Sequence, residues 1–227
     1  MNEKETCYMC SEEATSKEHV PPRCLFPKES ELSKGVSMRK NLIKVPSCHV
    51  HNSSKSKDDE YLMFIMSCAF QGNEFKSSLF EKRVLRAFQK KPHVLDTVFK
   101  NPRKVLLRES EDGKPEESIS FEADLDRVDS MFHHMACGIY YHHFKEKWLG
   151  GSKNIINFLS YLDVPEVNLM NHQHSELNRF SREIFHRLES YGDNHEVFSY
   201  RAIKGDDGEA VIFLEFYEQL RATVLLS

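Results

Sequence analysis

The chain has 227 residues, 40% of them hydrophobic and including 16 Phe, which is enough apolar side chain for a real core and excludes a disordered polymer. The formal net charge of −4 argues against a protein that coats nucleic acid by bulk charge. No stretch approaches the roughly 20 apolar residues that span a bilayer, and the opening MNEKETCYMC lacks the apolar heart of a signal peptide. Six cysteines in such a chain point to reduced thiols and metal, not a disulfide framework, and to a cytoplasmic protein that does not touch membranes.

The first elements lie in Cys7 to Glu60. Cys7-x-x-Cys10 opens the stretch as a tight knuckle, and Cys48-x-x-His51 closes it. Each pair offers two ligands at the bite of a tetrahedral Zn²⁺, and four such ligands complete a closed structural site. His49 is the rival to His51, but its direct adjacency to Cys48 makes a poor bite. Ser16 to Val20 is expected as a strand that sends Glu18 and His19 to opposite faces. Pro21-Pro22 ends its pairing, because proline has no N–H to donate. Residues 23–40 are polar and read as a loop, in which Cys24 is a small buried residue. Asn41 to Val45 is expected as the second strand, and Ser47 as the N-cap of a helix carrying Cys48 to Glu60 and onward. On that helix Asn52 and Lys55 share a face, which Asp59 can join two turns on.

Further along, Phe75 to Lys91 repeats apolar residues at helical spacing, with Lys82, Arg86 and Lys90 as a basic stripe that can meet phosphates or simply face solvent. Val105 to Leu107 and Ile119 to Phe121 flank an acidic loop and are expected to pair. Asp124 to Trp148 is the longest helical candidate. Its histidines, His133, His134, His142 and His143, have no carboxylate or Cys partner at ligand spacing and read as structural or surface residues, as do His172 and His174. Gly150-Gly151 is a break, followed by a short apolar segment from Ile155 to Leu162, Pro165, and a helix near Ser175 to Leu188. Val197 to Ile203 and Ala210 to Tyr217 form a hairpin around Asp-Asp-Gly, with Arg221 to Leu226 as a third strand. The whole is an α+β chain: a zinc-braced unit over residues 1–60, then a mostly helical supporting or partner-binding domain over 61–227 with a C-terminal β-hairpin.

The N-terminal quarter resembles the HNH endonucleases, the ββα-metal nucleases, in their zinc-braced form. The resemblance rests on Cys7 and Cys10, Glu18-His19, Asn41-Leu42, Cys48 and His51, Asn52 and Lys55, in that order. His51 stands where a fourth Cys is usual, and Asn52 where His is commonest. Both substitutions keep a ligand, since His binds zinc and an amide oxygen suits Mg²⁺. The resemblance implies phosphodiester hydrolysis, in DNA more than RNA. His19 would be the general base, Asn52 and Glu18 would hold a catalytic Mg²⁺ or Mn²⁺, Asn41 would orient His19 or its loop, and Lys55 would contact phosphate. Many stand-alone proteins of this kind look like effectors of bacterial antiphage defence, which implies a protein partner that regulates cutting. The alternatives are a zinc module that binds nucleic acid without cutting it, and an interaction subunit of a larger nuclease.

Overall fold

The computed structural model describes residues 5–52, 56–69, 89, 98–107, 114, 116–159 and 165–227. Lys55 and the expected stripe of Lys82, Arg86 and Lys90 lie outside the described residues.

The order of elements begins with strand β1 (Ser16–His19), 3-10 turns at Arg23–Leu25 and Glu29–Glu31, strand β2 (Lys44–Ser47) and helices α1 (His49–Asn52) and α2 (Ser56–Cys68). It continues with β3 (Lys100–Leu107), β4 (Glu116–Glu122), α3 (Leu125–Phe144), β5 (Ser152–Ile156), α4 (Pro165–Phe185), β6 (Phe198–Lys204), β7 (Ala210–Phe216) and β8 (Leu220–Leu226). The fold is α+β, with two two-stranded sheets, β1-β2 and β3-β4, and a four-stranded antiparallel sheet in the order β5-β8-β7-β6. Among the described residues, no helix is long and apolar enough to cross a membrane.

Several boundaries differ from expectation, each for a local reason. The second strand runs over Lys44–Ser47 rather than Asn41–Val45, because Asn41 turns the chain at φ 51 and only then does pairing with β1 begin. Pro46 fits inside it because a two-stranded sheet leaves each strand an edge where a missing N–H costs nothing. Ser47 is therefore a strand residue and not a helix cap; the Cys48 carbonyl accepts the first helical bond, from the Asn52 N–H at 3.1 Å. α4 spans Pro165–Phe185 instead of starting near Ser175 and reaching Leu188, because proline does well at a first helical position and lets the helix begin there. The C-terminal hairpin is part of a larger sheet, joined by β8 and then by β5 from the segment after Gly150-Gly151. Among the described residues beyond 60, strands β3 to β8 stand beside the helices, so this part holds far more sheet than the single C-terminal hairpin expected.

α3 is the spine. Asp124 caps it by accepting the Arg127 N–H at 3.2 Å, and Lys145 ends it in the left-handed conformation at φ 60. Its stripe of Val128, Met131, Phe132, Met135, Ala136, Ile139 and Tyr140 is buried, and a large apolar side chain so placed contributes about 1.5–3 kcal/mol. Phe132 meets Phe216 of β7 edge-on at 6.4 Å, while Phe185 of α4 stacks at 5.2 Å on Phe213, which alternation puts on the other face of the same strand. α4 turns Ser181 and Phe185 inward and leaves Leu177, Phe180 and Ile184 exposed.

The N-terminal unit packs on α3 as well. Gly138 of α3 sits so close to Val20, just past β1, that a Cβ there would lie 2.7 Å from a Val20 methyl. Tyr61 of α2 accepts the Asp124 N–H at 2.7 Å through its hydroxyl, and Arg127 pairs with Asp58. The Tyr217 hydroxyl donates to the Leu25 carbonyl, and Asn194 donates to that of Lys40. Cys7, Tyr8 and Val45 share one apolar core with α2, α3 and the four-stranded sheet.

Candidate metal centre and catalytic cleft

The knuckle and α1 bring four ligand atoms together. Cys7, Cys10, Cys48 and His51 offer atoms that all lie within 4.8 Å of one another. His51 Nδ1 is 3.4 Å from Cys7 Sγ, 3.5 Å from Cys10 Sγ and 3.3 Å from Cys48 Sγ, and the Cys10 and Cys48 sulfurs are 3.8 Å apart. A tetrahedron with metal–sulfur bonds of about 2.3 Å and metal–nitrogen bonds of about 2.0–2.1 Å has edges of about 3.8 Å between sulfurs and about 3.6 Å from sulfur to nitrogen. The cluster matches that shape and can hold a metal ion such as zinc. His51, not the exposed His49, completes it.

Its surroundings are built for this. Burial pushes the Cys10 thiol up to about 11, as do Cys7 and Cys48, while the backbone bond from Glu12 works the other way. Burial pushes at Cys48 too, but backbone N–H groups of His51 and Val50 and the two other thiols overcome it and bring that thiol down. Protons crowded among sulfurs in this way are what a bound cation replaces. The imidazole of His51 is flanked edge-on by Tyr8 at 6.5 Å and by His134 of α3 at 5.9 Å. Lys147, beyond the end of α3, donates to the Cys10 carbonyl at 2.8 Å and to Thr6 Oγ1 at 2.6 Å, which pins the knuckle from outside.

Beside this centre lies an open cleft of about 640 Å³ between β1, the first 3-10 turn, α1 and α2. Lys17, Glu18, His19, Arg23, Cys24, Asn52, Lys57, Asp59 and Glu60 are among the residues that line it. Alternation along β1 does what the sequence predicts: His19 is half-buried and Glu18, its neighbour, is 5% exposed. Glu18 borders the cleft, but its carboxylate is drawn inward. Ser47 Oγ reaches it at 3.4 Å, and the buried Tyr8 hydroxyl is pushed well above its ordinary range by burial and then by the Glu18 charge. His19 is held below its ordinary value, by burial first and then by the positive charges of Lys44, Arg23 and Arg39. Arg39 does double duty, since its guanidinium donates to the carbonyls of Phe26 and Arg23 and so holds the turn that forms one wall.

Asn52 reaches the cleft from the end of α1 and donates to Ser16 Oγ at 2.7 Å. Asn41 lies elsewhere, on the turn before β2, where it borders a smaller cavity with Val20, Pro21 and Asn194. Arg23, Lys57 and Lys17 are cleft residues that the sequence did not single out, because the turn and the α1–α2 geometry that bring them together leave no spacing signal. Cys24 lines the same wall, its thiol donating to the Asp59 carbonyl at 3.4 Å.

Two of the α3 histidines are held by neighbouring side chains. Contrary to the expectation of no Cys at ligand spacing, His133 has Cys137 one helical turn on, with its sulfur at 3.6 Å, and contacts Ser152 at 2.9 Å; burial pushes that thiol up to about 12, too high for a nucleophile. His143 lies against Tyr191 and Tyr200. Among the described residues, the Cys7 group is the only gathering of three or more His, Cys, Asp or Glu that can hold a metal. The chain matches no protein-family model, and no curated protein or solved structure is significantly similar to it.

Proposed function

We propose that this chain is a metal-dependent endonuclease of the HNH kind, cutting phosphodiester bonds in DNA, with zinc in the Cys7–Cys10–Cys48–His51 cluster as a structural brace. The observation that carries this reading is the cleft itself. An imidazole kept neutral by burial and by surrounding cations faces the same space as an amide, carboxylates and Lys17, Arg23 and Lys57. A neutral imidazole accepts a proton at physiological pH, and the cations attract a phosphate.

His19 takes the proton of the attacking water, whose oxygen bonds to phosphorus as the bond to the leaving oxygen breaks. Mg²⁺ or Mn²⁺, when bound, supplies charge neutralisation at phosphorus and at the leaving oxygen. The cleft suits such an ion because Mg²⁺ takes one or two protein oxygens and keeps several waters, so no closed cage is required. Asn52 offers the first oxygen. The inward turn of Glu18 passes the second to Asp59, the carboxylate that α2 brings to the wall. Arg23 and Lys57 hold the scissile phosphate, and the resemblance gives Lys55, which lies outside the described residues, a phosphate contact as well.

The second reading is a subunit that binds nucleic acid and needs a protein partner to cut or to be restrained, as in an antiphage effector. It draws on the net charge of −4 and the exposed Leu177, Phe180 and Ile184 of α4. Incubating the purified zinc-loaded chain with plasmid DNA and with RNA, in Mg²⁺ or Mn²⁺, separates the two. Metal-dependent nicking by wild type supports the nuclease; no cleavage of either polymer by the chain alone supports the partner-dependent reading.

A further inference from the structure

Asn52 is an ambiguous ligand by itself. Its amide has an oxygen that a cation attracts and an NH₂ group that a cation repels, and half a turn about the last side-chain bond exchanges them. The hydrogen bonds around it resolve which end is which. Ser16 Oγ lies 3.2 Å from the Ser47 carbonyl, which can only accept, so the single hydroxyl proton of Ser16 goes there. The oxygen of Ser16 then faces Asn52 as an acceptor, and the atom 2.7 Å away must be the amide nitrogen. The relay runs in one direction: Asn52 N–H to Ser16 Oγ, and Ser16 O–H to the Ser47 carbonyl.

That carbonyl is itself fixed. It also receives the Thr15 N–H at 3.0 Å, and Ser16 and Ser47 are register partners in the β1–β2 pair. The two-stranded sheet that carries His19 therefore sets the rotation of the amide on α1, across 36 residues of sequence.

We infer that Ser16 is a positioning residue for the catalytic metal: it holds the amide of Asn52 by its nitrogen so that Oδ1 is presented to the cleft. The inference rests on the nuclease reading for the purpose of the ion, but the ion's affinity can be measured without cleavage. A hydrogen-bonding partner behind a metal ligand is typically worth about 10- to 100-fold in metal affinity. Ser16 is exposed, so water partly replaces its hydroxyl, and the expected effect lies at the lower end, about tenfold.

The experiment titrates the zinc-loaded full chain with Mn²⁺ and follows free Mn²⁺ by electron paramagnetic resonance, with plasmid nicking measured in parallel. Ser16→Ala should weaken Mn²⁺ binding about tenfold, while Ser16→Thr, which keeps the hydroxyl, should bind as wild type does. The decisive pair uses Asn52→Asp, whose two side-chain oxygens make rotation immaterial: adding Ser16→Ala to Asn52→Asp should change nothing. Equal Mn²⁺ affinity in wild type and Ser16→Ala overturns the inference even if wild type nicks DNA. So does a Ser16→Ala effect of the same size in the Asn52→Asp background, because the loss is then structural. A tenfold shift without any nicking supports the role of Ser16 and sinks the nuclease reading, and a wild type that binds no Mn²⁺ sinks both.

Discussion

At the scale of single residues, the proposed chemistry depends on two neighbours with opposite fates. Glu18 and His19 are adjacent in sequence, yet the pleat sends one carboxylate into the protein against Ser47 and Tyr8 and leaves the imidazole at the cleft. His19→Ala should therefore lower nicking by about 10²- to 10⁴-fold, the usual worth of a general base. Zinc content and DNA affinity should stay near wild type, since His19 is no part of the four-ligand set. A variant that nicks plasmid at the wild-type rate would place the active site elsewhere. The roles of the two residues were only half legible beforehand. Alternation separates their faces, but which face is buried depends on Tyr8 and on β2, and both arrive from outside the strand.

At the scale of elements, the metal cluster joins a knuckle at the N-terminus to a helix of four residues. A zinc ion held by the cluster would stabilise this unit by on the order of 10 kcal/mol, as structural zinc does in small modules. Cys48→Ser should release zinc, measured by metal analysis, and expose residues 5–52 to proteolysis. Wild-type protein purified with no zinc would contradict the assignment. The same unit is seated on α3 through Gly138 and Val20. Gly138→Ala would gain about 1 kcal/mol of helix propensity, but forcing a methyl against the buried Val20 costs about 1–3 kcal/mol. The clash should win, since Val20 is β-branched and 2% exposed, with little freedom to swing aside. Thermal unfolding should fall by about 2–4 °C for each net kcal/mol, and a rise in Tm would show that the contact is looser than the distances say.

At the scale of the whole molecule, burial sets the response to acid. His19, His133, His142 and His143 are all held below their ordinary values, each by burial first. The unfolded chain therefore binds more protons than the folded one as pH falls through the ordinary imidazole range, so stability must rise with pH across that window. The loss begins near pH 6.5 and continues until the depressed folded-state values are passed. Urea midpoints of zinc-loaded protein should decline from about pH 7.5 to about pH 6 with zinc still bound; a flat profile would mean these imidazoles protonate as freely in the fold as outside it.

The sequence by itself determined the ligand pairs, the strand that carries His19, the long helix after Asp124 and the C-terminal strands. Each of these is local: a two-residue bite, a period of two or of 3.6, a turn of Asp-Asp-Gly. Spacing also favoured His51 over His49, and the tetrahedral edges agree. Only the tertiary structure decided what lies across from what. Ser16 meets Asn52, Arg23 and Lys57 share a cleft with His19, and the helix expected near Ser175 already starts at Pro165. Those relations join residues tens of positions apart, where no periodicity connects them. They follow from packing on α3, whose buried stripe holds the N-terminal unit and the four-stranded sheet in one core.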